Sequence, residues 1–217
     1  MTIRYKLTDA QGRTYGGTQW GPGVTHTAPG TGELCGPGWI HVYASPLLAE
    51  LLNPIGANYK PHLLWECSVQ GRSKTDHGLK EGWERVTTER QIPLPTISGG
   101  QRVRFALECA LSVCKSPSFV RWASSWLRGE NRSAATAWSM SKSASVWGRV
   151  GATEAWAASW AAAAAAAYAA PAVRASEAEE AEEAAACAAA EAIRKTAIIS
   201  SGKEGFSLVA LAEQACA

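Results

Sequence analysis

The sequence predicts an α+β protein: a small mixed-sheet head over residues 1–100, followed by an all-α, alanine-rich helical body over 101–217. Three observations carry this. Short runs of β-branched and aromatic residues alternate with glycine and proline through the first hundred residues. Beyond Ser98-Gly99-Gly100 both turn residues become scarce and helix formers take over. Residues 151–200 then hold 25 alanines in 50 positions, and alanine loses almost no side-chain entropy in a helix. A chain of 217 residues can bury a real core in each of two such units.

In the head, Thr2 to Leu7 predicts a strand that ends in the turn signal Asp9-Ala-Gln-Gly12, with Arg13 to Trp20 returning. Glycine and proline then crowd the stretch from Gly16 to Gly38, which predicts a long irregular loop. Trp39 to Ser45 predicts a strand and Pro46 to about Leu52 a short helix. His62 to Val69 predicts a second good strand, Gly71 to Gly82 a polar loop, and Trp83 to Pro93 an extended segment rich in strand formers.

In the body, Val103, Phe105, Ala106, Cys109, Ala110 and Val113 recur at helical spacing and predict a helix over 102–115. Ser116-Pro117 has the form of an N-cap followed by proline at the first helical position. Phe119, Trp122, Ala123 and Trp126 make the apolar stripe of that second helix, and Gly129 stops it. A third helix starts at Asn131 or Ser133 and runs to Trp147. Pro171 opens a long helix to Ser200, with glutamates near its start and Arg194 and Lys195 near its end, an order that complements the helix dipole. Phe206 to Ala217 adds a last short helix.

The near-neutral net charge of +2 hides an uneven map. Residues 101–150 carry eight basic and two acidic side chains, whereas residues 151–200 carry three basic and seven acidic. Such an asymmetry can steer a partner, or the two segments can neutralise each other in one fold. The six cysteines are scattered without a Cys-x-x-Cys pair, and the N-terminus lacks the apolar core of a signal peptide; together they point to reduced thiols and a cytoplasmic setting. Nineteen uncharged residues lie between Glu154 and Arg174, but they are mostly alanine with no Leu, Ile or Phe, so a membrane span is not expected.

No local motif points to catalysis. His26, His41, His62 and His77 stand apart from one another, and with Cys35 and Cys67 they lack the close pairing of a zinc site, so no metal is expected. No G-x-S-x-G elbow exists. The glycine loop carries neither the Lys-Ser/Thr ending of a phosphate-binding loop nor the helix of a dinucleotide fingerprint, so no cofactor is expected either.

The basic segment is the stronger signal. Its arginines and lysines are interleaved with Trp122, Trp126, Trp138 and Trp147, a pattern that single-stranded nucleic acid can use. The alternative is that the tryptophans are core and the cations face water or the acidic helix. Each alanine buries little area, so alanine rods need a neighbour along many turns. At 100° per residue Trp138, Trp156 and Trp160 share a face while Trp147 points away, and a second chain is one contact for it.

Two stretches carry a resemblance. Gly38-Trp-Ile-His41-Val-Tyr-Ala-Ser-Pro46, followed by Leu64-Trp-Glu66-Cys-Ser-Val-Gln-Gly71 and the extended Val86–Pro93, resembles an uncharacterised phage N-terminal α+β domain family. From Arg102-Val-Arg-Phe-Ala-Leu-Glu-Cys-Ala-Leu onward, the chain resembles the alanine- and tryptophan-rich helical modules grouped as immunity-protein domains, which follow such a head in phage and actinobacterial sequences. Together these cover most of the chain and bring no activity with them. The shape of residues 1–100 is also similar to ADP-ribosyltransferase-like domains, which would put His41, Tyr43 and Glu84 or Glu89 around an NAD.

The function these readings imply is that of a non-enzymatic phage or prophage interaction protein. It would self-associate or grip a protein partner and would block a host complex such as a defence nuclease, in the manner of an anti-CRISPR. Trp147, Trp156 and Trp160 are the expected aromatic anchors, and Arg121, Arg128 and Arg132 the electrostatic contacts. The alternatives are an NAD-using enzyme in the head and nucleic-acid binding through 101–150.

Overall fold

The computed structural model describes residues 2–147, 158, 161–166, 178–200 and 203–217. It is α+β, and the chain divides into two compact units, Met1–Thr96 and Ile97–Ala217.

The first unit is built on β1 (Ile3–Asp9), β2 (Arg13–Thr14), β3 (Thr18–Gln19), β4 (Val24–Thr27), β5 (Ile40–Val42), α1 (Pro46–Leu52), β6 (His62–Asp76) and β7 (Lys80–Ile92). The main sheet runs β1-β6-β7-β4, with β5 also pairing on β7. Every ladder is antiparallel rather than mixed. Just past β5, Tyr43 exchanges both backbone hydrogen bonds with Tyr5 of β1, at 2.8 and 3.0 Å. The strands β1, β6, β7 and β5 therefore close on themselves through that bridge, which removes an open edge.

Further expectations for the head change: Arg13 to Trp20 does not return as one strand, since Arg13–Thr14 and Thr18–Gln19 pair with each other as a separate small sheet. The stretch read as a loop between Gly16 and Gly38 contains β4, because Val24 to Thr27 pairs residue by residue with Thr88 to Arg85. The stretch read as a polar loop, Gly71 to Gly82, is mostly strand: β6 and β7 run on as one long hairpin around Asp76–Leu79. His77 and Gly78 both have positive φ, 51° and 80°, and Leu79 N–H donates to Asp76 O at 2.8 Å. That backbone matches the twist of a hairpin. The end of this hairpin is largely exposed, so it carries none of the alternating apolar pattern by which a strand is recognised in sequence.

Inside the closed sheet, Trp20, Val42, Trp65, Cys67, Val69 and Val86 form the apolar core. Leu7 and Leu64, paired cross-strand on the opposite face from Lys6 and Trp65, are buried too. There α1 packs on β1 and buries Leu48, Leu51 and Leu52. Ser45 caps α1 by accepting from Leu47 N–H, and Pro46 sits at the first helical position.

The second unit contains α2 (Gly99–Val113), α3 (Pro117–Leu127), α4 (Ala134–Trp147), α5 (Ala178–Ser200) and α6 (Leu208–Cys216). Ser98 and Gln101 form a reciprocal capping box at the start of α2, so the Ser-Gly-Gly signal is a helix entry. The expected stripe of α3 holds: Phe119, Trp122, Ala123 and Trp126 are all buried. The start expected at Pro171 lies outside the described residues, and α5 is helical from Ala178.

Residues 161–166 are helical, and each of these six alanines is at most 3% exposed. Successive helical residues turn by 100°, so six buried in a row mean a helix enclosed on every side. Ala189 and Ala192 of α5 join the same core, with Val103, Ala106 and Ala110 of α2. The alanine rods do need neighbours, but those neighbours lie within this chain. The alanine pattern therefore carries no argument for self-association, and recognition has to rest elsewhere. Among the described residues, no helix is long and apolar enough to cross a membrane.

Candidate partner-binding groove

The turn between α3 and α4 is held by a compact set of polar contacts. Gly129 (φ 89°) and Asn131 (φ 48°) both take the left-handed conformation that reverses the chain. Arg128 grips the Glu130 carboxylate with two bonds, Nε to Oε1 at 3.1 Å and Nη2 to Oε2 at 2.9 Å, and Ser125 Oγ donates to Oε2 at 2.9 Å. These donors hold the Glu130 carboxyl below its ordinary pKa. Arg132 donates through Nε to Trp126 O at 3.0 Å, and its guanidinium lies 4.4 Å from the centre of the Trp126 ring. Thr136 Oγ1 donates to Asn131 Oδ1 at 2.9 Å, while Ser133 Oγ accepts from Thr136 N–H as the cap of α4.

Beside this turn, α3 and α4 leave an open groove of about 410 Å³. Arg121 and Trp122 from α3, Asn131 from the turn, and Ser139 and Met140 from α4 line it, and no carboxylate does. Arg121 is exposed and makes no hydrogen bond or ion pair with the described residues. Trp122 is 6% exposed, and its Nε1–H is shut from solvent with no acceptor. An unmet buried donor of this kind costs about 1–3 kcal/mol. The groove therefore sets an exposed guanidinium beside a tryptophan whose N–H is enclosed in the core.

The three arginines expected as contacts have three different situations. Arg121 faces the groove, unpaired among the described residues, Arg128 is committed to Glu130, and Arg132 is stacked on Trp126. Trp156, Trp160 and the side chain of Trp147 lie outside the described residues. Trp122, read from the sequence both in the apolar stripe of α3 and among the tryptophans interleaved with cations, lies in the core and also lines the groove.

Among the described residues, the rest of the basic segment is also engaged. Arg104 lies 3.8 Å from Glu108, and Lys115 donates to the Leu111 and Ser112 carbonyls at the end of α2. Arg102 and Lys142 are likewise partnered, and Arg149 lies outside the described residues. Within α2, Glu108 Oε2 has no partner and burial raises the carboxyl's pKa.

The head residues named for an NAD site are each tied to a different neighbour. The His41 ring bonds to Leu34 O, and burial lowers its pKa. Tyr43 is buried, with its phenol pushed up to about 12. Glu84 accepts from the backbone N–H and Nε of Arg72, and Glu89 accepts from Ser68 Oγ.

The chain matches no family model, no curated protein and no solved structure.

Proposed function

We propose that this chain is a non-enzymatic interaction protein whose helical unit takes a protein partner on the groove between α3 and α4. The observation that carries it is the open groove itself, where the exposed Arg121, unpaired among the described residues, lies with the edge of the largely buried Trp122. Desolvated aromatic and arginine residues are the usual anchors of interfaces. Phage or prophage origin, and the blocking of a host complex such as a defence nuclease, are supported by the resemblance of Gly38–Pro46 and of the helical module alone.

A photo-crosslinking amino acid placed at Ser118, on the groove rim, tests this in host lysate. We expect a discrete crosslinked species that is lost in Arg121→Glu. Crosslinking no stronger than from Thr25, an exposed position on β4 in the other unit, would overturn it.

A further inference from the structure

We propose that Cys35 and Lys80 form a redox clamp: once the Cys35 thiol is oxidised, the Lys80 amine closes a covalent S–N bond that staples one loop of the first unit to its long hairpin. The loop runs from Gly30 to Gly38, and its ends meet where Gly30 N–H donates to Gly38 O at 2.8 Å. Inside it, Trp39 Nε1 donates back to Gly32 O at 3.1 Å. A short surface loop closed at its neck in this way is an Ω-loop. Three successive residues dock it on the β6–β7 hairpin. Glu33 lies 3.4 Å from Lys74 Nζ of β6. Leu34 is buried against Gly82 of β7, where a Cβ would collide with it, and its carbonyl bonds the His41 ring of β5. Cys35 follows, exposed, with Lys80 Nζ of β7 donating to its sulfur at 3.3 Å.

The buried Leu34 and its held carbonyl fix the backbone one residue before the thiol, so the sulfur is kept over the amine by packing. Access and chemistry then agree. An exposed thiol is the one that dissolved hydrogen peroxide reaches. Peroxide gives one oxygen to the sulfur: the O–O bond breaks, the sulfur is oxidised by two electrons, and sulfenic acid and water result. A sulfenic acid condenses with a nucleophile held beside it. The first unit's other cysteine, Cys67, lies in the core of the closed sheet, whereas the Lys80 nitrogen already touches the Cys35 sulfur. The nitrogen lone pair attacks the sulfur, the S–O bond breaks, and hydroxide leaves with an amine proton as water. The product is a sulfenamide between Cys35 Sγ and Lys80 Nζ, two hydrogens lighter than the reduced chain. A thiol reductant reverses it by attacking the sulfur and returning the bonding pair to nitrogen.

The test treats the full, reduced chain with hydrogen peroxide and digests it with a glutamyl endopeptidase. We expect the peptide Leu34–Glu50 joined to Cys67–Glu81, with fragmentation placing the link between Cys35 and Lys80. The joined mass should be about 2 Da below the sum of the two reduced peptides, and dithiothreitol should separate them. Cys35→Ser should lose the joined peptide. Lys80→Arg, which keeps the charge without the nucleophilic amine, should lose it too. In that variant Leu34–Glu50 should instead gain about 16 or 32 Da, as the sulfenic and sulfinic acids accumulate. No joined peptide from the oxidised parent, a joined peptide that survives Lys80→Arg, or a link that maps to Cys67 overturns the clamp.

Discussion

The ammonium of Lys6 lies 4.5 Å from the centre of the Trp20 ring, inside the closed sheet of the first unit. Nζ donates to His41 O at 3.0 Å, and no carboxylate accompanies it. Around it the interior polar groups are matched in pairs: Trp65 Nε1 donates to Thr8 Oγ1 at 3.0 Å, and Thr88 Oγ1 donates to Gly21 O at 2.6 Å. At Glu81, Arg4 and Trp83 both donate to Oε2 at 2.7 Å. Lys6 is thus a buried cation stabilised by one carbonyl and a π face.

Burial lowers the Lys6 pKa from 10.5 to about 8. Between those values the unfolded chain holds the proton more tightly than the folded one, so stability should rise with pH over that window. The gain is on the order of 3 kcal/mol. Lys6→Met should abolish the rise and be more stable than the parent at pH 7. Urea unfolding of both forms at pH 7, 8, 9 and 10 checks this, the difference between them removing the opposite drift from the raised Cys67 and Cys109 thiols; a stability difference between parent and variant that does not change over the window refutes it.

Glu108 presents the opposite sign. Its carboxyl is raised by burial, and Arg104 at 3.8 Å offsets this only in part. The folded chain therefore keeps the proton longer than the unfolded one, and stability is lost as pH rises above the ordinary glutamate range. Glu108→Gln should stabilise the second unit at pH 7 and remove that loss. Thermal unfolding of both forms at pH 4 and pH 7 reads it directly.

The thiols should separate by access. Cys35 is exposed, with Lys80 Nζ 3.3 Å from its sulfur, whereas Cys67, Cys109 and Cys114 are buried. Burial pushes the Cys67 thiol up to about 12 and raises that of Cys109 well above its ordinary range. Cys35 should be alkylated first in the native chain, and Cys35→Ser should delete the fastest phase. Peptide mass spectrometry over an iodoacetamide time course would show another cysteine reacting earlier if the order is wrong.

Gly38 is where the head's long connection folds back on itself. Its carbonyl accepts from Gly30 N–H at 2.8 Å, and a Cβ at Gly38 would collide with the Thr31 carbonyl oxygen. Gly38→Ala should therefore cost at least about 2 kcal/mol by displacing backbone rather than a flexible side chain. Gly32→Ala meets open space but carries a φ of 80°, so its smaller cost isolates conformational strain from collision. Denaturant midpoints of the two variants compare them; equal midpoints would remove the collision argument.

Much of the fold was legible because its determinants are local. The two-part division, the capped entry at Ser98, the buried stripe of α3 and the strands at either end of the head follow from periodicity and from turn residues, which act over a few positions. The strand hidden at Val24–Thr27 was not legible, since it is short and defined only by its pairing with β7. Nor was the polar length of the β6–β7 hairpin, which has no apolar face to reveal its period.

The groove divides the same way. Arg121, Arg128 and Arg132 stand out in the sequence as cations among tryptophans, and composition alone determined that this stretch would be basic and helical. Only the folded chain decided that Glu130 takes one of them, the Trp126 ring takes another, and Arg121 is left open beside the largely buried Trp122. The reason is physical: helix formation depends on neighbours along the chain, whereas the pairing of a charge or a donor depends on what the turn and the packing bring within about 3 Å of it.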